Sequence, residues 1–307
     1  MADFLTDLIK AAGGADRVLA NEPMKKHTTF RTGGPAAYFV SPSCEQEIEA
    51  VAELCRKSSM PCYMLGNGSN LLVSDKGYPG VILSTAKGLA GITVTGRRIT
   101  AGSGALLFKI AKTALEHSLT GLEFAAGIPG SLGGAVVMNA GAYGGEMKQV
   151  LKSVRVLTKD GQIKEIPAEE LELGYRKSCI QSKEYIVLSA EILLDKGDAG
   201  EIKARMDEYA LRRREKQPLE YPSAGSTFKR PEGHFAGKLI EEAGLKGFTV
   251  GGAQVSEKHS GFVINRGGAD SSDIYRLCCQ VQERVKEKFG VELEMEVKRL
   301  GDFSIEG

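Results

Sequence analysis

Apolar residues return along this chain with two different periods, and the places where the period changes divide it. Ile48, Val51, Ala52 and Cys55 recur at helical spacing behind Ser43 and Gln46, which read together as a capping box, so the pattern predicts an amphipathic helix over 44–57. The same spacing puts Leu106, Leu107, Ile110, Ala111 and Ala114 on one face of a helix over 105–117. It also draws an apolar line through Ile202, Met206, Tyr209 and Ala210 in a charged helix over 199–216. Short helices are expected over 3–12, 16–19 and 236–242, and a long amphipathic one over 272–288. Strand-like runs lie at 36–40, 62–65, 71–74, 81–84 and 185–194, with another reached through 259–265. Two hairpins are expected, 92–95 with 99–101 about Gly-Arg-Arg, and 150–157 with 162–166 about Lys-Asp-Gly. Near the end, Val291, Leu293, Met295 and Val297 alternate with Glu292, Glu294, Glu296 and Lys298, the signature of a strand with one wet face.

These elements group into lobes. Strand, helix and strand make a small α/β unit over 1–80, a second begins at 81, and the prolines at 218 and 222 end the charged helix and open a third over 217–307. A length of 307 residues with 42% hydrophobic side chains supports two or three cores. Forty basic against thirty-nine acidic residues leave a net charge of +1, which argues against a general nucleic-acid or anionic-membrane binder. The first residues carry acids and no apolar core, so no signal peptide is expected, and no run reaches transmembrane length; a cytoplasmic location follows as an expectation. Cysteines at 44, 55, 62, 179, 278 and 279 lack metal-ligand spacing and read as free thiols, so no metal is expected.

Two stretches are too rich in glycine, and too specific in order, for linkers. In 121–145 glycine stands at 121, 127, 130, 133, 134, 141, 144 and 145, with small or apolar residues between. Glycine allows close approach and φ > 0, so successive N–H groups can converge on an anion, with Ser131 and Asn139 as side-chain donors. The second stretch, 64–73, opens like the dinucleotide fingerprint G-x-G-x-x-G, but Leu71 replaces the third glycine and a strand follows, so it is not a Rossmann turn. Either alone reads equally well as tight turns; together they favour a two-loop site for a pyrophosphate. The expected cofactor contacts are Gly66, Asn67, Gly68, Ser69, Asn70 and Leu71 in one loop and Ile128, Pro129, Gly130, Ser131, Gly134, Asn139 and Gly141 in the other. Arg213, on the charged helix, is a further candidate.

Other residues are less specific. Arg176, in Tyr175-Arg176-Lys177-Ser178, carries a planar fork suited to a carboxylate, though surface pairing is the commoner fate. Ser226 sits in no G-x-S-x-G elbow and fits proton donation or phosphate binding better than hydrolysis. Period alone does not separate Glu296 from Glu292 and Glu294.

In order along the chain, 28–35, 66–73, 127–144, 175–178, 222–228, 237–241 and Glu296 resemble the UDP-N-acetylenolpyruvoylglucosamine reductase (MurB) flavoproteins over nearly the whole length, in their shorter type II subclass. The resemblance implies an α+β protein, with a two-lobe FAD-binding fold of the vanillyl-alcohol-oxidase (PCMH) type followed by a C-terminal α/β substrate-binding domain. It implies non-covalent FAD, NADPH as hydride donor and a UDP-sugar substrate, in peptidoglycan synthesis. It assigns Arg176 and Glu296 to the charge that develops on the enolpyruvyl group and Ser226 to its protonation. Tyr175, Lys229, Lys238 and Asn265 are the corresponding candidates for substrate binding. Lysine at 298, where the family often has arginine, puts a bidentate role there in doubt. The rival reading, another FAD oxidase or dehydrogenase of the same superfamily, shares both loops; the lack of histidine in 121–145 argues against a covalently tethered flavin.

Overall fold

A computed structural model describes residues 2–304. The chain divides into two compact units, and it passes between them several times. One contains the residues up to Ala20, Tyr38–Asn67 and Gly80–Arg212; the other contains Asn21–Ala37, Gly68–Pro79 and the chain from Arg213 onward.

The first unit is built on a five-stranded antiparallel sheet in the order Ile163–Pro167, Leu151–Leu157, Ile186–Leu193, Arg98–Gly102, Ile92–Thr95. Both expected hairpins are present, with Thr95 opposite Arg98 and Leu157 opposite Ile163. Gly96 supplies the positive φ of 63° that the first turn requires. Helix Leu107–Glu116 buries Leu107, Ile110, Ala111 and Ala114 in the same core as Ile99, Val154, Val156 and Ile192. A second core joins Leu8, Ile48, Val51 and Cys55 to Val81 and Leu83, so helices Ala2–Ala11 and Glu45–Lys57 cover the parallel pair Cys62–Leu65 and Val81–Ser84.

Three local expectations are corrected. Residues 16–19 are not a helix: one 3-10 turn at Ala15–Arg17 gives way to strand Val18–Pro23, since so short a segment takes its form from its neighbours. Ser43 does not form a capping box with Gln46, because the helix N-cap is Cys44, and the Ser43 N–H and hydroxyl bond to the Glu47 carboxylate at 2.6 and 3.1 Å. Helix Ala199–Lys216 has its expected bounds, but only Ile202 on its apolar line is fully buried and Ala210 is exposed.

In the second unit, helix Ser271–Phe289 buries Ile274, Leu277, Cys278, Val281 and Val285 against the sheet of Thr249–Val250, Ala253–Val255 and Val263–Asn265. Full burial of such side chains is worth about 1.5–3 kcal/mol each, which makes this helix the unit's main support. Asp270 caps it from its own chain, and Gly290, at φ 68°, ends it in the left-handed conformation. The alternation at 291–297 survives as burial of Leu293 and Val297, but the regular strand lies later, at Lys298–Leu300, parallel to Leu71–Val73. Residues 294–296 pair instead with 227–229, through bonds from Lys229 N to Glu294 O (2.8 Å) and from Glu296 N to Thr227 O (2.8 Å). Among the described residues no helix is long and apolar enough to cross a membrane.

Candidate cofactor and substrate sites

In the first unit the glycine-rich segment is stitched to the turn before helix Leu107–Glu116. Leu107 N donates to Gly130 O (3.0 Å), Leu132 N to Ala105 O (2.8 Å) and Gly133 N to Ser103 O (2.8 Å). The short helix Leu132–Val137 follows, with Ser131 at its N-cap. The loop that starts at Gly66 meets this segment twice. Asn67 Nδ2 donates to Pro129 O (2.7 Å), and a Cβ on Gly66 would stand 2.4 Å from Ser131 Oγ, so Gly66 is glycine because Ser131 occupies the space.

Gly134 is different. It has no unusual φ, lies exposed on the helix, and a Cβ there would meet nothing nearer than Ser131 Oγ at 3.8 Å. The protein's own packing does not require glycine at this position. Ser131 Oγ is buried without a partner, and among the described residues the N–H groups of Gly130, Ser131 and Gly134 have no acceptor. An orphaned hydroxyl among unpaired N–H groups is a donor set for an anion, and it fits the pyrophosphate of FAD.

Asn139, a candidate cofactor donor, has its side chain engaged as a clamp within the loop. It is 1% exposed, its Nδ2 donates to Glu146 Oε2 (2.8 Å) and Gly174 O (3.1 Å), and its Oδ1 accepts from Lys148 N (2.8 Å), so no amide hydrogen remains for a ligand. Gly141 is also explained from within, since a Cβ would lie 2.6 Å from Gly145 O. Gly174 and Lys177 exchange backbone bonds of 3.0 and 3.2 Å, which leaves Tyr175 and Arg176 at the tip of a tight turn with Arg176 at φ 54°. Ser178 Oγ anchors the turn by donating to Val137 O (2.8 Å). Arg176 is half-buried with its guanidinium carbon 5.2 Å from the ring centre of Tyr175, which is exposed; Ile128 is half-buried against the core.

In the second unit, Gly68 (φ 63°) packs so closely that a Cβ would lie 2.0 Å from His27 O, and Thr29 N donates to Gly68 O (3.2 Å). This glycine is required by the fold around 27–29. Leu71 is 3% exposed, so its side chain packs inside and only its backbone faces the loop; Ser69 is half-buried. Asn70 Nδ2 donates to Glu296 O (3.1 Å) and Asn70 O accepts from Lys298 N (3.0 Å), which fixes the backbone on both sides of Val297.

Thr227, fully buried, organises the rest. Its N–H donates to Gly261 O (2.9 Å), its hydroxyl accepts from Val263 N (2.9 Å) and its carbonyl accepts from Glu296 N. Ser226, exposed and preceded by Gly225 at φ 75°, immediately precedes the residue bonded to Glu296 N. Among the three glutamates the structure discriminates where the period did not. Glu292 (76% exposed) pairs with Lys286 and Glu294 (71%) with Lys229, whereas Glu296 is half-buried. Lys229 is thus engaged by Glu294, and Lys238, 71% exposed, lies 3.7 Å from Glu242 on its own helix. Asn265, a candidate for substrate binding, is 8% exposed, its Nδ2 donates to Phe30 O (3.0 Å) and its Oδ1 accepts from Gly267 N and Ala269 N. Arg213 is half-buried.

Sequence reasoning missed Glu123, 5% exposed, whose carboxylate takes bonds from Thr120 Oγ1 (2.6 Å) and Gly121 N (2.9 Å) and lies 3.3 Å from Arg205. It also missed Thr227. A threonine in a hydroxyl-rich loop carries no local signal of this kind, and Glu123, between Leu122 and Phe124, shows in sequence only an acid within an apolar run.

Residues 36–167 match the family described as FAD binding domain, and 217–300 match that described as UDP-N-acetylenolpyruvoylglucosamine reductase, C-terminal domain. The UDP-N-acetylenolpyruvoylglucosamine reductase of Lachnoclostridium phytofermentans is 53% identical over 306 residues, 98% of this chain and 99% of its own. The crystal structure of that reductase (MurB) from Thermus caldophilus superposes with a TM-score of 0.81 at 37% identity, covering 93% of this chain and 99% of the other. A glucose dehydrogenase, Phl p 4.0202, shares the fold alone, at TM-score 0.51 and 15% identity over 64% of this chain and 44% of its own. An α+β chain of the PCMH-type FAD-binding fold with this C-terminal domain, matched from end to end, belongs to the UDP-N-acetylenolpyruvoylglucosamine reductase family.

Proposed function

We propose that this chain reduces UDP-N-acetylglucosamine enolpyruvate to UDP-N-acetylmuramate for peptidoglycan synthesis in the cytoplasm, with NADPH as hydride donor. By region, 1–80 and 81–216 supply the FAD contacts and 217–307 those to the UDP-sugar. The observation that supports the reading of the chemistry is the pairing of 227–229 with 294–296, in which Thr227, the residue after Ser226, accepts from Glu296 N.

Gly130, Ser131 and Gly134 would hold the FAD pyrophosphate through backbone N–H groups and the Ser131 hydroxyl, as their unpaired donors support. When bound there, FAD would supply the hydride chemistry that links NADPH to the enolpyruvyl methylene carbon. Negative charge then develops on the adjoining carbon and its carboxylate, where groups already in place lower the barrier without reorganising. Arg176 fits that task through its bidentate fork, held at the tip of a braced turn. Glu296, half-buried where Glu292 and Glu294 are exposed, is the carboxyl group proposed to act at the same charge. Ser226 gives its hydroxyl proton to the carbon that carries the charge; its exposed position on a fixed backbone lets a substrate reach it.

The test is direct. Purified protein should carry flavin absorbance, and NADPH oxidation should depend on the enolpyruvyl nucleotide and yield a product heavier by one hydride and one proton. Colourless protein that takes up no FAD, or NADPH oxidation indifferent to the nucleotide, would overturn the reading.

A further inference from the structure

The hairpin that closes the glycine-rich segment holds a residue its backbone disfavours. Gly145 pairs with Ala142 and Glu146 with Gly141, so Tyr143 and Gly144 form a two-residue turn with φ of 54° and 86°. Turns with two positive φ values select Asn-Gly or Gly-Gly, and a bulky side chain at the first position costs of order 1–3 kcal/mol unless its surroundings compensate. Here the Tyr143 ring stacks on Tyr209 of helix Ala199–Lys216, with centres 4.6 Å apart and planes 11° from parallel. The stack latches the hairpin to a long helix. From there an unbroken line of contacts leads inward: Glu146, on the returning strand, accepts from Asn139 Nδ2, and the same amide group donates to Gly174 O, the first residue of the Arg176 turn. Asn139 itself takes φ 42°, the left-handed conformation that aims its side chain at both partners.

We infer that Asn139 and Glu146 are positioning residues for Arg176, and that the Tyr143–Tyr209 stack is their outer anchor. This rests on the role proposed for Arg176 above. Neither residue touches substrate in this account. Asn139 fixes the carbonyl from which the turn starts, Ser178 fixes the other end, and Arg176, in a strained backbone conformation, is thereby set in one orientation. Misplacing a reacting or charge-stabilising group by about 1 Å costs on the order of 10²-fold in rate.

The variant to make is Asn139→Gly, which removes the clamp yet keeps the left-handed backbone accessible. Flavin content and bleaching by NADPH should match the unsubstituted protein, while reoxidation by the enolpyruvyl nucleotide should slow about 10²-fold. In an Arg176→Ala background the same substitution should add no further loss, because its effect runs through Arg176. Equal losses in the two backgrounds, or equal slowing of both half-reactions, would overturn the inference. A readout independent of activity is the Arg176 Nε–Hε resonance, assigned by its disappearance in Arg176→Lys. It should shift or broaden in Asn139→Gly, and an unchanged resonance also overturns the inference. If Asn139→Gly does not fold, Glu146→Gln, which keeps an acceptor, should lose less than Glu146→Ala by both measures; equal losses would count against the relay. Failure of the proposed function looks different: the unsubstituted protein would take up no FAD, or would oxidise NADPH equally with and without the nucleotide, while the resonance would still report on the clamp.

Discussion

Replacing Gly134 by alanine should change the empty and the cofactor-loaded protein in opposite directions. Gly134 lies within helix Leu132–Val137 at an ordinary φ, and the added methyl would have 3.8 Å to its nearest neighbour, Ser131 Oγ. Alanine in a helix is better than glycine by about 0.5–1 kcal/mol, chiefly because the unfolded chain loses less entropy. At roughly 2–4 °C per kcal/mol, the apoprotein should melt about 1–4 °C higher. The same methyl projects where a phosphate would approach the N–H groups of Gly130, Ser131 and Gly134, and a loss of ~1.4 kcal/mol or more there corresponds to at least about tenfold weaker FAD binding. Differential scanning of the FAD-depleted protein gives the first quantity and quenching of FAD fluorescence on titration gives the second. A higher melting temperature with unchanged FAD affinity would refute the reasoning, because Gly134 would then be glycine for no reason the ligand supplies. A lower apoprotein melting temperature would refute the packing half.

Glu296→Ala should reduce kcat about 10²–10³-fold, while Glu292→Ala and Glu294→Ala, which lose only exposed pairs with Lys286 and Lys229, should stay near normal in the same steady-state assay. Asp75 holds the start of helix Ser271–Phe289, its carboxylate accepting from Ser271 N and Ser272 N, both at 2.9 Å. Burial raises its pKa, but these bonds outweigh burial and leave it below the usual 3.8, so its contribution is full above that value and is lost as pH falls through the lowered one. Asp75→Asn should cost about 0.5–2 kcal/mol in denaturant titrations at neutral pH, with the difference shrinking in acid. Burial also depresses His259 below its ordinary 6.5, against opposing contributions from its backbone bond and Glu241. The unfolded chain then binds the proton first, so stability should rise with pH between the lowered value and 6.5, and His259→Gln should flatten that slope in melting curves taken across the window.

The sequence disclosed what is decided locally. Helices Glu45–Lys57, Leu107–Glu116 and Ala199–Lys216 and both hairpins follow from period and turn chemistry carried within each segment. Partners distant in sequence were hidden. The alternation at 291–297 told which side chains go in, yet not that residues 294–296 pair with 227–229 while the regular strand starts at Lys298. Ser43 predicts a capping box with Gln46, whereas its partner is Glu47, one residue further on, which Arg17 also meets from elsewhere in the chain. The glycine loops were legible as a class, but the reason for each glycine was not: Gly66 and Gly68 make room for Ser131 Oγ and His27 O, while Gly134 makes room for nothing in the protein. Asn139 and Asn265 are candidate ligand residues in the sequence, while in the fold their side-chain amides meet backbone carbonyls, Gly174 O and Phe30 O. That distinction depends on the final direction of a side chain, which no local pattern carries.

The most direct test of the account separates the two half-reactions in Ser226→Ala by stopped-flow absorbance of the flavin. Ser226 is exposed, and the backbone that fixes it is held by Thr227, so the substitution should leave the fold and FAD content intact. Bleaching by NADPH should proceed at the unsubstituted rate, and reoxidation by UDP-N-acetylglucosamine enolpyruvate should fall by ~10²–10⁴-fold, the usual worth of a positioned general acid. Equal slowing of both phases, or reoxidation at the normal rate, would contradict the assignment of Ser226 as the proton donor.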